Sequence, residues 1–283
     1  MPKLNLETKL NYSPNFDIKK RNNEEIKFLI FHYTGMKSEF DAINKLTNFK
    51  SDVSCHYFIK NNGETSVMVP DLYVAWHAGK SRWKYYKSLN RYSIGIEINN
   101  PGHDYNYKKF SKKQIQSLTK LSKILIKKYK IKPKNILGHS DIAPERKKDP
   151  GEKFPWKEFA KQRIGLWHSI SVARLIKNRG IKINKISENI FYNNLYKIGY
   201  LNKKFKNLRK INFKSYIVKA FQRRFRQELV KRLREENVME AMIPRHCARV
   251  EGNYHSAGMA PKYKVDKIKK YLIANKLISI GIS

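Results

Sequence analysis

Two histidines and an aspartate in this chain are of the types that hold a catalytic metal. His32 closes the apolar run Ile26-Lys-Phe-Leu-Ile-Phe-His-Tyr-Thr-Gly35, which reads as a buried strand halted at a glycine turn. His139 and Asp149 bracket the segment His-Ser-Asp-Ile-Ala-Pro-Glu-Arg-Lys-Lys-Asp, itself followed by Pro150-Gly151. Two imidazoles and a carboxylate make the ligand set of a catalytic zinc site, in which the fourth tetrahedral position is left to water. Such a site does hydrolysis.

Two further residues extend that chemistry. Glu97 lies in the otherwise apolar strand Tyr92-Ser-Ile-Gly-Ile-Glu-Ile98, on the face it shares with Ser93 and Gly95. A carboxylate buried there is costly unless it is paired, and beside a metal it acts as a general base. Lys147 precedes Asp149 by two residues, so a short extended turn brings its ammonium toward the metal. There it stabilises a developing oxyanion.

The elements that position these residues can be read from periodicity. Strands are expected at 26–33, 55–61, 65–70 and 92–98, and a short one at 135–138 that delivers His139. Asn62-Gly63 supplies the positive φ of a hairpin between the second and third. Phe40, Ile43 and Leu46 predict a crossover helix over 38–49. Ser111 and Gln114 form a capping box ahead of the apolar stripe Leu118, Leu121, Ile124 and Leu125, and Lys132-Pro133 ends that helix. Strands alternating with helices predict an α/β domain with a mixed β-sheet flanked by helices. Residues 1–25 are polar and read as an irregular arm.

Composition bounds the partners. The 283 residues carry 60 Lys and Arg against 23 Asp and Glu, a formal charge of +37. Most of the excess is lysine spread along the whole chain, which concerns solubility and non-specific attraction to polyanions more than a dedicated face. No helix-turn-helix, zinc-finger or RNA-recognition signature accompanies it, so no specific nucleic-acid partner is expected. The two cysteines, Cys55 and Cys247, lie too far apart in character and sequence to suggest a disulfide framework. Cys55 reads as a small buried residue. Absence of a signal peptide and of a long apolar run predicts a cytoplasmic protein with no membrane span, or one in the periplasm or cell wall if another route exports it.

Five segments in order resemble the type 2 family of zinc-dependent N-acetylmuramoyl-L-alanine amidases, which shares its fold with peptidoglycan recognition proteins. They are Phe31-His-Tyr-Thr-Gly35, Val53-Ser-Cys-His-Tyr-Phe-Ile59, Ala75-Trp-His-Ala-Gly79, Ser93-Ile-Gly-Ile-Glu-Ile98, and Gly138-His-Ser-Asp-Ile-Ala-Pro144 with Lys147-Lys-Asp-Pro-Gly151. The resemblance spans roughly residues 20–160. It implies one zinc on His32, His139 and Asp149, catalysis by Glu97 and Lys147, and substrate contacts from Trp76, His77, Gly79 and His56, the last also readable as a support of the site. It implies cleavage of the bond between the muramoyl lactyl group and L-alanine, in peptidoglycan or in soluble anhydro-muropeptides. Aspartate as third ligand implies the recycling and outer-membrane branch, where some endolysins carry cysteine. The alternative is a non-catalytic peptidoglycan receptor, which has no need of an open metal site beside a buried glutamate.

Composition shifts after about residue 180, giving a catalytic domain over 26–175 and a helical module over 185–283. Residues 191–200 and 216–225 resemble the first two helices of a three-helix peptidoglycan-binding domain. The sequence departs from that pattern from about 231, and a last amphipathic helix is expected over 265–278. In the helix from Ser215, the apolar face is formed by Ile217, Val218, Ala220, Phe221, Phe225 and Leu229, with Arg223, Arg224, Arg226 and Arg232 on the other sides.

Overall fold

The computed structural model describes residues 8–178, 184–200 and 211–232. The expected helix at 265–278, the tail from 233 and Cys247 lie outside these residues. By packing, the described chain divides into two units. One holds residues 8–167 together with 211–227, and the other holds the described parts of 168–207 and 228–283. The expected division near 175–185 therefore does not follow the packing, because the helix after residue 211 belongs with the first unit.

The first unit is built on a sheet. Its strands are β1 (Thr8–Leu10), β3 (Phe28–Tyr33), β4 (Tyr57–Ile59), β5 (Thr65–Val67), β9 (Ser93–Ile98) and β10 (Ile136–Gly138), with β2 (Phe16–Asp17) and β6 (Val74–Ala75), then β7 (Arg82–Trp83) and β8 (Tyr86–Lys87), forming two small antiparallel pairs. The main order is β1-β5-β4-β9-β3-β10. β3 runs parallel to both β9 and β10, while β4 and β5 are antiparallel. The sheet is therefore mixed, as expected.

Helices α1 (Glu39–Thr47) and α2 (Lys112–Tyr129) begin at the predicted caps, Ser38 and Ser111, and the Ser111–Gln114 box closes in both directions. Short helices α3 (His139–Ile142) and α4 (Trp156–Lys161) follow β10. Leu118, Leu121 and Leu125 of α2 join Leu29, Phe31, Ile94, Ile96, Ile98, Phe154, Trp156 and Phe159 in one buried cluster on one side of the sheet. Ala42, Leu46, Cys55, Phe58 and Met68 form a smaller one. Cys55 is a buried free thiol, as expected.

Two expectations change. The hairpin loop is Asn61-Asn62-Gly63 rather than a two-residue turn. Gly63 N–H donates to Lys60 O, Lys60 N–H donates to Glu64 O, and only Gly63 takes a positive φ, the signature of a type I turn closed by a glycine bulge. The arm is not irregular over its described residues, since β1 adds to the sheet edge beside β5 and Arg21 is 2% exposed. Its guanidinium donates to the carbonyls of Asp71, Asn90 and Arg91, stapling the arm to two segments in a way that leaves no local sequence pattern.

Beyond residue 167 the described helices are α5 (Val172–Lys177), α6 (Lys185–Ile198), α7 (Ile211–Phe225) and α8 (Gln227–Arg232). Asn184 caps α6, which ends at Gly199 with φ +138°, a conformation glycine alone adopts cheaply. Among the described residues no helix is long and apolar enough to cross a membrane.

Candidate metal centre and cleft

Register explains how residues far apart in sequence meet. β3 and β9 pair so that His32 lies beside Glu97, and β10 delivers His139 from the other flank of β3. Ser140 N–H donates to Asp149 O, which folds the returning loop back onto α3. The result is a buried trio. His32 Nδ1 lies 2.9 Å from His139 Nδ1, and each lies 3.1 Å from Asp149 Oδ2.

The hydrogen-bond network fixes which nitrogens carry protons. Ser93 Oγ donates to Leu89 O, so His77 Nε2–H donates to Ser93 Oγ. His77 Nδ1 is then a bare acceptor, and His32 Nε2–H donates to it across 3.0 Å. On the other side His139 Nε2 lies 3.1 Å from the carbonyl of Ala78 and 3.2 Å from Arg146 Nη2; because Arg146 Nη2 donates to that same carbonyl, the acceptor left to His139 Nε2–H is Ala78 O. Burial, reinforced by the neighbouring His139, pushes His32 down to about 4, so the ring is neutral at pH 7. Both Nδ1 lone pairs thus converge on the Asp149 carboxylate. Three lone-pair donors packed together repel one another, and a divalent cation relieves the repulsion; the donor set fits zinc.

Sequence alternation also explains the support for His77. On β9, Ser93 supplies its acceptor, and at Gly95 an added Cβ would lie 2.3 Å from the His77 ring. The Ser-x-Gly-x-Glu face therefore holds the imidazole that orients His32. Glu97 completes that face with its side chain 15% exposed, Oε1 4.0 Å from His32 Nδ1 and Oε2 buried with no hydrogen-bond partner. Burial, then the Asp149 charge, raises the Glu97 carboxyl to about 8, against the lowering influence of Lys147.

The trio opens on a cleft of about 440 Å³, within the usual range for small-molecule sites. Trp76, His77, Glu97 and Lys147 line it, as do Lys45, Arg146, Lys148 and Asp104, which sequence reasoning did not single out. Trp76 is held by its indole N–H, which donates to Asp17 of the N-terminal segment. Two expected substrate contacts do not reach the cleft. His56 is fully buried, accepting from Gly95 N–H and facing Arg21 and Tyr73 O. Gly79 instead gives passage to Arg146, whose guanidinium would lie 3.2 Å from a Cβ there and which donates to the carbonyls on either side, Ala78 and Lys80. Behind Asp149, the Tyr33 hydroxyl donates to His103, and His103 donates to Glu152, a buttress that no local spacing announced.

A buried His-His-carboxylate trio that could hold a metal ion thus stands on a mixed α/β sheet, with a glutamate at its side and a basic cleft before it. Comparison with known proteins gives the family. Residues 22–152 match the N-acetylmuramoyl-L-alanine amidase family. The chain is 42% identical over 154 residues to the N-acetylmuramoyl-L-alanine amidase AmiD of Escherichia coli, covering 50% of this chain and 55% of that protein. It is 33% identical over 165 residues to the 1,6-anhydro-N-acetylmuramyl-L-alanine amidase AmpD of Haemophilus influenzae, covering 52% of this chain and 87% of that protein. Among solved structures, Escherichia coli AmiD in complex with the substrate anhydro-N-acetylmuramic acid-L-Ala-D-γ-Glu-L-Lys superposes with a TM-score of 0.62 at 34% identity, over 72% of this chain and 82% of that one. Pseudomonas aeruginosa AmpDh3 in complex with an anhydromuramic pentapeptide gives 0.62 at 28%, over 76% and 89%. The chain belongs to the N-acetylmuramoyl-L-alanine amidase family. It spans about half the length of AmiD.

Proposed function

We propose that this protein is a zinc amidase that hydrolyses the amide between the lactyl group of N-acetylmuramic acid and L-alanine, in peptidoglycan or in anhydro-muropeptides. The observation that carries the reading is the convergence of two fixed imidazole lone pairs and a carboxylate beside a half-buried Glu97 whose Oε2 has no hydrogen-bond partner. His32, His139 and Asp149 hold the zinc. Bound there, zinc supplies Lewis-acid chemistry, polarising a carbonyl and acidifying water.

The rest is done by side chains of this chain. Glu97 takes the proton of the attacking water and hands it to the departing amine, its Oε2 carrying no other hydrogen bond. Lys147, which lines the cleft close enough to act on both Glu97 and His32, counters the negative charge that develops on the carbonyl oxygen. Trp76 offers an aromatic wall, and Lys45, Arg146 and Lys148 make the rim attractive to the carboxylates of a stem peptide. His77 and Ser93 keep His32 in the tautomer that presents Nδ1. The purified chain is expected to bind about one zinc, to release L-Ala-headed peptides from anhydro-muropeptides and from wall, and to lose and regain that activity with chelator and zinc. Full turnover in metal-free protein would refute the proposal.

A further inference from the structure

α7 lies outside the segment that matches the family, at residues 211–225 against 22–152, yet it reaches the strand that leads into His139. Arg224 is the contact. Its side chain is 4% exposed, where the sequence pattern placed it away from the apolar face. Nη1 donates to Asp141 Oδ2 at 2.6 Å, Nη2 donates to Ile136 O at 2.9 Å, and the guanidinium lies over the Trp156 ring at 4.0 Å.

Those two acceptors are not arbitrary. Ile136 opens β10, an edge strand of the sheet, and Asp141 sits in the first turn of α3. Asp141 Oδ2 also accepts from Gly138 N–H at 2.8 Å. A single planar guanidinium thus ties both ends of the six-residue stretch from Ile136 to Asp141, and the carboxylate it holds in turn ties the residue before His139. A fork of donors in fixed geometry does this where an ammonium would not. Gly165 leaves the space, since a Cβ there would lie 3.3 Å from Arg224 Nη2.

We infer that Arg224 is a positioning residue for the metal centre: through Asp141 and Ile136 it fixes the strand-to-helix junction that aims His139. The inference rests on the reading of His32, His139 and Asp149 as the ligand set. It makes α7 a working part of the catalytic unit rather than of a separate wall-binding module. Partners of this kind change metal affinity by about 10–100-fold when removed.

The test uses the full-length chain and two readouts, zinc affinity by competition with a chromophoric chelator and the thermal midpoint of the metal-free protein. Arg224→Gln is compared with Ile217→Ala, which removes buried apolar volume from the same helix and leaves the hydrogen bonds of Arg224 to Asp141 and Ile136 in place. Arg224→Gln is expected to weaken zinc binding about tenfold or more. Ile217→Ala should lower the midpoint and leave zinc affinity within about twofold of wild type. Arg224→Lys should fall between, keeping the charge but not the fork, and serves if the glutamine variant does not fold. Adding Asp141→Asn to Arg224→Gln should cost little more, because both act on one link. Wild-type zinc affinity in Arg224→Gln and Arg224→Lys, or an equal loss in Ile217→Ala at equal loss of midpoint, overturns the inference while leaving the metal site intact. A wild-type protein that binds no zinc overturns the ligand set itself, and this inference with it.

Discussion

Replacing Glu97 with glutamine separates chemistry from stability because the two should move in different directions. The side chain sits in β9 beside His32, half-buried, with Oε2 unpartnered and its carboxyl raised to about 8 by desolvation and by Asp149. A carboxyl raised this far must take up a proton when the metal-free chain folds at pH 7, which costs the fold free energy, and a neutral amide of the same shape relieves that cost. Glu97→Gln should therefore leave the thermal midpoint of the metal-free protein unchanged or higher, and because Glu97 is not a ligand, zinc stoichiometry should stay at about one. Turnover should collapse. Loss of a general base costs about 10²–10⁴-fold, or about 2.7–5.4 kcal/mol at 1.36 kcal/mol per tenfold. Glu97→Asp keeps the charge but withdraws it by about one carbon–carbon bond, ~1.5 Å, and a displacement of that size is itself worth on the order of 10²-fold. The assay is initial-rate release of peptide from an anhydro-muropeptide, run beside metal analysis and calorimetry on the same preparations. Wild-type turnover in Glu97→Gln would refute the assignment. So would a fall in midpoint large enough to account for the lost activity.

Gly95→Ala places a methyl where the His77 ring stands, so His77 must turn away from His32; zinc affinity should fall about tenfold and stability by about 1–3 kcal/mol, read by chelator competition and denaturant titration, and retention of both would mean that His77 does not orient the ligand. Asp71 is buried and accepts from Tyr57, Tyr129 and Lys128, and although burial works the other way, these donors lower its pKa. A depressed carboxyl adds stability that is present above the unfolded value of about 3.9 and lost as pH falls through the folded one, so Asp71→Asn should cost about 1–3 kcal/mol at pH 7 and progressively less below pH ~3.9; a pH-independent difference in urea midpoints would contradict this. Deleting residues 176–283 removes Arg224 from Asp141, so the shortened chain should lose zinc affinity and cleave even a small soluble muropeptide poorly. Cleavage of that fragment at the full-length rate, with loss only on insoluble wall, would show instead a localising module.

What the sequence made legible was local or periodic. The capping box at Ser111, the glycine turn at 63 and the alternating face of β9 each follow from a few neighbouring residues, and all three stand in the structure. The trio of His32, His139 and Asp149 was legible because its chemistry is rare and its two histidines follow apolar strand runs, although their convergence depends on a parallel register that no single segment encodes. His56 and Gly79 show the limit. Motif membership marked them, but a motif does not say toward which side of the sheet a residue points, and one is buried beneath the site while the other makes way for Arg146.

The two buried arginines were invisible for a physical reason. Arg21 and Arg224 belong to segments whose composition looks like a polar arm and a basic helix, in a chain where 60 of 283 residues are Lys or Arg. A guanidinium is buried only where several fixed acceptors await it, and those acceptors here are backbone carbonyls of Asp71, Asn90, Arg91 and Ile136 with the Asp141 carboxylate, up to 88 residues away. Backbone carbonyls carry no residue identity, so nothing in the sequence marks where such a side chain will end. The same property gives these residues their use. An arginine that closes on carbonyls from separate loops fixes backbone positions irrespective of the side chains around them, and at the junction below His139 that precision is what a metal ligand requires.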